Sequence, residues 1–198
     1  MAPADDCPDA VFVEDPVVVY GRTAVIARSG AVQRRAETAG VEAALAGYDI
    51  RRIEAPGTLD GGDVLKVGDT IYVGRGGRTN DDGIRQLTDH LRTNVIPVPV
   101  TKVLHLKSAV TALPDGTVIG YPPLLDDPAV FPNFLPVPEE GGSHVVLLGG
   151  DTVLMAAGAP ETAALLAARG LRPVTVDISE FEKLEGCVTC LSVRLRAR

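Results

Sequence analysis

A chain of 198 residues, 45% hydrophobic and 23% charged, has the composition of one globular domain with its own core. Its net charge of −7 argues against a nucleic-acid partner, which needs an electropositive face, but suits a small cation held by local carboxylates. No apolar run approaches the roughly 20 residues of a membrane span, Met1 to Asp6 lack the basic and apolar stretches of a signal peptide, and three cysteines, an odd count, point to reduced thiols and the cytoplasm.

In chain order, short apolar runs alternate with helical patterns. Val11-Phe12-Val13 and Val17-Val18-Val19-Tyr20 have strand character, and Val25-Ile26-Ala27 returns after Gly21-Arg22-Thr23. Ala36, Ala39, Ala43 and Ala44 recur at helical spacing, predicting a helix from Gln33 to Ala46, followed by a strand from Asp49 to Glu54. Val64 to Val67 and Ile71 to Val73 form a hairpin about Gly68-Asp69, and Asn80 caps a helix over 81–93. The extended run Val95 to Val100 contains two prolines, which favour a sheet edge. The third unit runs from Leu104 through Pro114-Asp115-Gly116 to Val118-Ile119, and the six prolines from Tyr121 to Pro138 leave mostly loop there. Strands at 145–148, 153–155 and 172–178 frame a helix from Glu161 to Arg169, and Cys187 to Leu195 is expected as a last strand.

These units repeat. Thr23, Thr70, Thr117 and Thr152 occupy the same place after a Gly- or Asp-containing turn, at spacings of 47, 47 and 35 residues. Such a period indicates an array of one supersecondary unit, strand-strand-helix-strand. The expected fold is an α/β ring of repeated ββαβ units: four units plus the first strand of a fifth. Because a closed array leaves no raw edge, residues 1–198 are expected to form a single catalytic domain lacking about one strand-helix-strand on its N-terminal side.

Several residues could carry chemistry. Thr58-Leu59-Asp60-Gly61-Gly62-Asp63-Val64-Leu65 sets two carboxylates around a Gly pair at a strand mouth; taken alone it reads first as a structural turn. Cys187 and Cys190 spell Cys-x-x-Cys, but a redox motif precedes a helix, whereas a strand-like run follows here. On a strand, positions three apart face opposite sides, so the sulfurs are expected to diverge. That leaves Cys190 as a buried structural thiol or a lone nucleophile. No partners stand at zinc-ligand spacing, so no metal is expected. His105, the acids Asp9, Glu14 and Asp15, and the cations Arg34, Arg35 and Arg78 each have an ordinary surface or core alternative. Topology favours the functional one, because Glu14-Asp15, Asp60, His105 and Cys190 lie near the heads of different units, which converge in a ring.

Phe12-Val13-Glu14-Asp15, Thr58 to Leu65, Arg78-Thr79-Asn80, Leu104-His105-Leu106-Lys107-Ser108 and Thr189-Cys190-Leu191-Ser192-Val193 occur in an order that resembles dimethylarginine dimethylaminohydrolase. The resemblance spans almost the whole chain. It implies a five-module propeller of the guanidine-modifying superfamily whose members carry a further N-terminal segment. It also implies Cys190 as nucleophile, His105 as general acid and base, and Asp60 as its orienting carboxylate. Asp15 would hold the guanidinium, with Asp9 and Glu14 positioning the substrate. Arg34 and Arg78 would bind the α-carboxylate, and the Leu184 backbone the α-amino end. Cys187 matches no catalytic position, and Asp63 is expected to bond backbone in its turn.

The residue types suit that chemistry. A guanidinium carbon is a poor electrophile and calls for a thiolate, which a neighbouring cation and imidazolium favour. Related arginine deiminases carry an acidic guanidinium clamp where this chain has Lys107. Losing one clamp suits a methylated guanidinium with fewer N–H donors. The resemblance thus implies hydrolysis of Nω-methylated arginine to citrulline and dimethylamine or methylamine. No cofactor is expected. The partner is a small-molecule substrate, with no nucleic acid or membrane, and a homo-oligomer stays open. The competing readings are an arginine deiminase-like hydrolase and an inactive guanidino-binding module.

Overall fold

The computed structural model describes residues 4 and 6–195. Twelve strands form four three-stranded sheets, each built the same way. The first unit contains β1 (Val17–Tyr20), β2 (Thr23–Ile26) and β3 (Asp49–Arg52), with α1 (Thr38–Ala43) between the last two. The second contains β4 (Val64–Val67), β5 (Thr70–Arg75), α2 (Asp81–Leu91) and β6 (Asn94–Pro99). β7 (Val110–Ala112), β8 (Val118–Gly120) and β9 (Phe134–Pro136) make the third unit. The fourth has β10 (Val145–Gly149), β11 (Thr152–Ala156), α3 (Pro160–Ala168) and β12 (Arg172–Val176), followed by the short α4 (Ser179–Glu182). In every unit the first two strands pair antiparallel and the third pairs parallel to the second.

The repeated turns have a backbone cause. Gly21, Gly68 and Gly150 hold φ of +57, +56 and +56 at the hairpin tips, where the strand twist demands left-handed backbone. The threonine after each of these turns opens the second strand and pairs across the hairpin, as in Tyr20 with Thr23 and Val67 with Thr70.

The middle strand of each sheet is buried along most of its length because both of its sides are covered. Val18 and Val25 pack with Leu59, Val64 and Ile71 between units one and two. The opposite face of the first sheet buries Val17, Val19, Ala24 and Ile26 under Val41 and Leu45. Leu65 and Tyr72 look away from Val64 and Ile71 into the next layer, beside Val110 and Phe131. Ile119, Val153, Met155 and Leu166 fill the layer between units three and four. Each core thus sits between successive sheets, which is the packing of a propeller.

Helix α2 shows what sets register. Asn80 accepts a hydrogen bond from the Gly83 N–H at 2.9 Å, and Arg92 ends the helix in left-handed backbone with φ 51. A cap stabilises by about 1 kcal/mol, while burying Leu87 fully contributes about 1.5–3 kcal/mol, so packing decides.

Three expectations change. Residues 11–13 form turns, with i to i−3 bonds such as Phe12 N–H to the Asp9 carbonyl at 3.0 Å, instead of a strand. The Pro-rich segment carries a short third strand, β9, approached through 3-10 turns at Pro122–Leu124 and Pro128–Val130, whose prolines fix the backbone without needing donors. Residues 187–195 are not the first strand of a fifth unit: they form a turn and then irregular backbone. Local bonds take the place of a ladder there, as in the Ser192 N–H to the Thr189 carbonyl at 3.1 Å.

A channel of about 790 Å³ runs where the first strands of all four units meet, between Val17–Tyr20, Val64–Val67, Thr111–Ala112 and Val145–Leu147. Glu14, Lys107 and Thr189 also border it. No helix among the described residues is long and apolar enough to cross a membrane.

Candidate active site

The Gly-Gly loop places the reactive groups by forbidding side chains. Gly61 to Asp63 make one 3-10 turn at the entry to β4, with Asp60 as its extended first residue. A Cβ on Gly61 would lie 2.1 Å from the Glu14 carbonyl oxygen, and one on Gly62 2.8 Å from the His105 ring. The Gly61 N–H donates to the Asp15 carbonyl at 2.9 Å, and the Gly62 N–H to Asp15 Oδ1 at 2.9 Å. Residues 14–15, the loop and the imidazole therefore touch directly.

Asp60 and His105 are 0% and 3% exposed. His105 Nε2 lies 3.0 Å from Asp60 Oδ2, and Nδ1 lies 3.8 Å from Asp15 Oδ1. Burial opposes the imidazolium, but the Asp60 bond and the charges of Asp15 and Asp63 outweigh it, pushing the His105 pKa up to about 9. Burial also opposes the Asp60 carboxylate, yet the bonds from His105 and Ser29 and the charge of Arg78 hold it below its usual range. Arg78 Nη1 sits 3.3 Å from Asp60 Oδ2, and its side chain is 23% exposed.

The second loop carboxylate works one layer behind. Asp63 Oδ1 accepts from the Leu106 N–H at 2.9 Å, and Oδ2 accepts from Thr79 Oγ1 at 2.6 Å. Thr79 Oγ1 in turn accepts from the Asp60 N–H at 3.2 Å. Asp63 thereby pins the residue after His105 and, through Thr79, the backbone of Asp60. Burial pushes its pKa up to about 6 against these bonds.

Arg34 is engaged inside the chain. Its guanidinium is buried, bonding Glu37 through Nε at 2.9 Å and Nη2 at 2.7 Å and Asp15 through Nη1 at 2.5 Å. Nη2 also approaches the Asp9 and Phe12 carbonyls at 3.3 and 3.4 Å. Its Nε and both Nη atoms are thus engaged within this chain, with two carboxylates and two carbonyls around one guanidinium. Asp15 is consequently already paired with an internal guanidinium. Glu14 is paired as well, its Oε1 2.5 Å from Lys107 Nζ, while its Oε2 is buried without a hydrogen bond. Burial raises the Glu14 pKa, partly offset by Lys107.

Leu184 stands apart. It is 67% exposed on the turn after α4, its N–H bonded to the Phe181 carbonyl at 2.9 Å. The Asp9 side chain forms no ion pair among the described residues.

Cys190 lies on the turn after Gly186, tied to the first unit by the Glu14 N–H, which donates to the Cys190 carbonyl at 3.2 Å. The two sulfurs do not diverge: Cys187 Sγ is 3.2 Å from Cys190 Sγ, because the segment turns instead of extending. Cys187 Sγ also lies 3.1 Å from Thr189 Oγ1. With Cys190, then the His144 charge and Thr189, stabilising its anion against burial, Cys187 is the more acidic thiol, and it holds the Cys190 proton in place. No hydrogen bond joins His105 to Cys190 among the described residues. The residues sequence reasoning missed are Glu37, Thr79 and His144; only Glu37, three places after Arg34 in a helical stretch, left a local signal.

Asp15, Asp60 and His105 place one potential metal-ligand atom each within 4.8 Å of one another. Since Asp15 and Asp60 are each bonded to an arginine, a cation there would have to displace a guanidinium.

A family model described as arginine deiminase matches residues 3–145. The N(G),N(G)-dimethylarginine dimethylaminohydrolase of Streptomyces coelicolor is 69% identical over 199 residues, covering 98% of this chain and 77% of the relative. That of Pseudomonas aeruginosa is 37% identical over 202 residues, covering 98% of this chain and 80% of the relative. The solved structure of the Pseudomonas aeruginosa protein, a cysteine-to-serine mutant complexed with citrulline, superposes with a TM-score of 0.90 at 37% identity, over 98% of this chain and 79% of that one. A dimethylarginine dimethylaminohydrolase adduct with S-methyl-L-thiocitrulline gives 0.91 at 36% identity, with the same coverages.

Proposed function

This chain belongs to the dimethylarginine dimethylaminohydrolase family, and from that membership we propose that it hydrolyses Nω-methylated arginine to citrulline and dimethylamine or methylamine. The observation that carries the reading is the buried His105–Asp60 pair at 3.0 Å, which keeps a proton on an imidazole whose pKa is pushed up to about 9. Cys190 attacks the guanidinium carbon once the incoming cation has favoured its thiolate and its proton has gone to solvent. His105 gives its proton to the departing amine, leaving a thiouronium on Cys190. It then takes a proton from the water that displaces the thiolate and forms citrulline.

Substrate choice follows from the paired acids. Asp15 and Glu14 face the site already bonded to Arg34 and Lys107, so the pocket offers a cation weakened acceptors. A dimethylated guanidinium, with fewer N–H groups to satisfy, loses less there than arginine does. Asp9 completes the acidic side, and Arg78, whose side chain is 23% exposed beside Asp60, is the cation assigned to the α-carboxylate. Three free thiols, Cys7, Cys187 and Cys190, suit a reducing compartment such as the cytoplasm.

The match to an arginine deiminase model supports a second reading, release of ammonia from arginine. Incubation with dimethylarginine and with arginine decides between them. Dimethylamine is the expected main product; ammonia from arginine as the main product would overturn the proposal.

A further inference from the structure

Cys187 has no part in the chemistry proposed above, yet its sulfur is buried 3.2 Å from that of the nucleophile. A disulfide needs about 2.0 Å between sulfurs, so a side-chain rotation closes the gap without rebuilding the loop. The loop is held from three directions. The Gly186 N–H bonds the Phe181 carbonyl at 2.8 Å, the Ser192 N–H the Thr189 carbonyl, and the Glu14 N–H the Cys190 carbonyl. Around Cys187 stand the Thr189 hydroxyl at 3.1 Å, the Cys190 backbone N–H and the His144 ring, all suited to stabilising a thiolate. Cys7 has a separate, more exposed place in the N-terminal turns.

We propose that Cys187 and Cys190 are a modification site for hydroperoxides, in which Cys187 takes up the oxidising equivalent and closes a disulfide onto Cys190, silencing turnover until a thiol reduces it. The Cys187 thiolate attacks the peroxide oxygen, the O–O bond breaks, and the leaving hydroxide is protonated to water, giving a Cys187 sulfenic acid. Cys190 then displaces that hydroxyl group, forming the S–S bond and releasing a second water. Two thiols and one hydrogen peroxide thus give one disulfide and two waters: the sulfurs lose two electrons and the peroxide gains two. Reduction by a dithiol returns both thiols by exchange. Covalent closure depends only on the sulfur geometry, whereas the silencing rests on Cys190 as the proposed nucleophile.

The test treats a Cys7→Ser form of the full chain with hydrogen peroxide and follows both turnover and the tryptic peptide spanning residues 184–194, which contains both cysteines. That peptide is expected to lose two hydrogens while turnover falls, and dithiothreitol is expected to restore both. With Cys187→Ser added, no partner thiol traps the Cys190 sulfenic acid, so with excess peroxide the peptide is expected to gain two or three oxygens, as sulfinic or sulfonic acid, and turnover, scaled to its own untreated level, is not expected to return with dithiothreitol. Oxygen gain without hydrogen loss in the Cys187-containing protein overturns the proposal, as does equal recovery in the Cys187→Ser form. Hydrogen loss with turnover intact overturns the silencing step. A protein inactive towards methylarginine still answers the mass measurement, so failure of the proposed function is told apart from failure of the thiol chemistry.

Discussion

The His105 side of the site is assembled from residues far apart in the chain, and the Cys190 side from residues a few positions apart. Asp60 reaches His105 across 45 residues, Asp63 reaches Leu106 across 43, and the Gly62 N–H reaches Asp15 across 47. Around Cys190 the side-chain partner is Cys187, itself in contact with Thr189, with one long-range tie from the Glu14 backbone. The acid-base arm is thus fixed by the packing of the first three units, and displacing it would break several buried bonds together. The thiol arm is a turn whose geometry is local, so its protonation and oxidation state can change without disturbing the sheets. A stiff proton donor beside an adaptable nucleophile lets the substrate cation decide when the thiolate forms.

Substitutions on the two arms should therefore fail differently. Cys190→Ser is expected to lower citrulline formation by at least about a thousandfold with thermal unfolding little changed, since the hydroxyl is a far weaker nucleophile. Cys187→Ser should retain measurable turnover. Equal losses in the two variants would remove Cys190 from the role of nucleophile.

The next contrast lies within the stiff arm. Asp60→Asn removes the charge that holds the His105 proton and should lower kcat about 10²- to 10⁴-fold, with the basic limb of the pH profile shifting downward. His105, raised from an ordinary value of about 6.5 to about 9, contributes stability that is full below pH 6.5 and lost as pH rises through 9; Asp60→Asn should flatten that window. Asp63→Asn keeps an acceptor for Leu106 but not for Thr79, and kcat should change less than tenfold. Its pH signature runs the other way. Because the Asp63 pKa is raised from 3.8 to about 6, its ionisation opposes folding, and this penalty vanishes as pH falls from 6 to 3.8. The stability of Asp63→Asn relative to the unsubstituted protein should therefore fall over that window. Matching kcat losses in Asp60→Asn and Asp63→Asn would merge the two carboxylates into one function.

The same contrast explains what could be read from the sequence. The four hairpins were legible because a left-handed glycine and a following threonine recur at each. The Asn80 cap was legible for the same reason, since the signal lies within four residues. Convergence of Asp60 and His105 was legible from repeat order, which places unit heads together without stating a bond; the bond itself was implied by the family resemblance alone. The fate of Cys187 to Leu195 was not legible. An apolar, Thr-containing run forms a strand or a turn according to whether a neighbouring strand completes its ladder, and that is a tertiary property. The pairing of Arg34 was half legible for a related reason. Glu37 is visible at helical spacing, but Asp15, the other partner of its buried guanidinium, is 19 residues away.

The smallest effect concerns specificity, where the two arms meet at Glu14. That residue touches the thiol arm through its backbone N–H and the stiff arm through its carbonyl, which packs against Gly61, while Lys107 holds its carboxylate. Lys107→Gln should release the carboxylate to serve as an additional guanidinium acceptor. The ratio of kcat/KM for arginine to that for dimethylarginine should then rise up to about tenfold, or ~1.4 kcal/mol, because only arginine brings the extra N–H donors. Burial raises the Glu14 pKa, so the gain should appear above the pH at which that carboxyl ionises and fade below it. Adding Glu14→Gln should abolish the gain, since the amide has no charge to offer. If the ratio stays constant in Lys107→Gln at every pH, the Lys107–Glu14 pair only packs the channel wall, and discrimination rests on Asp15 with its bound Arg34.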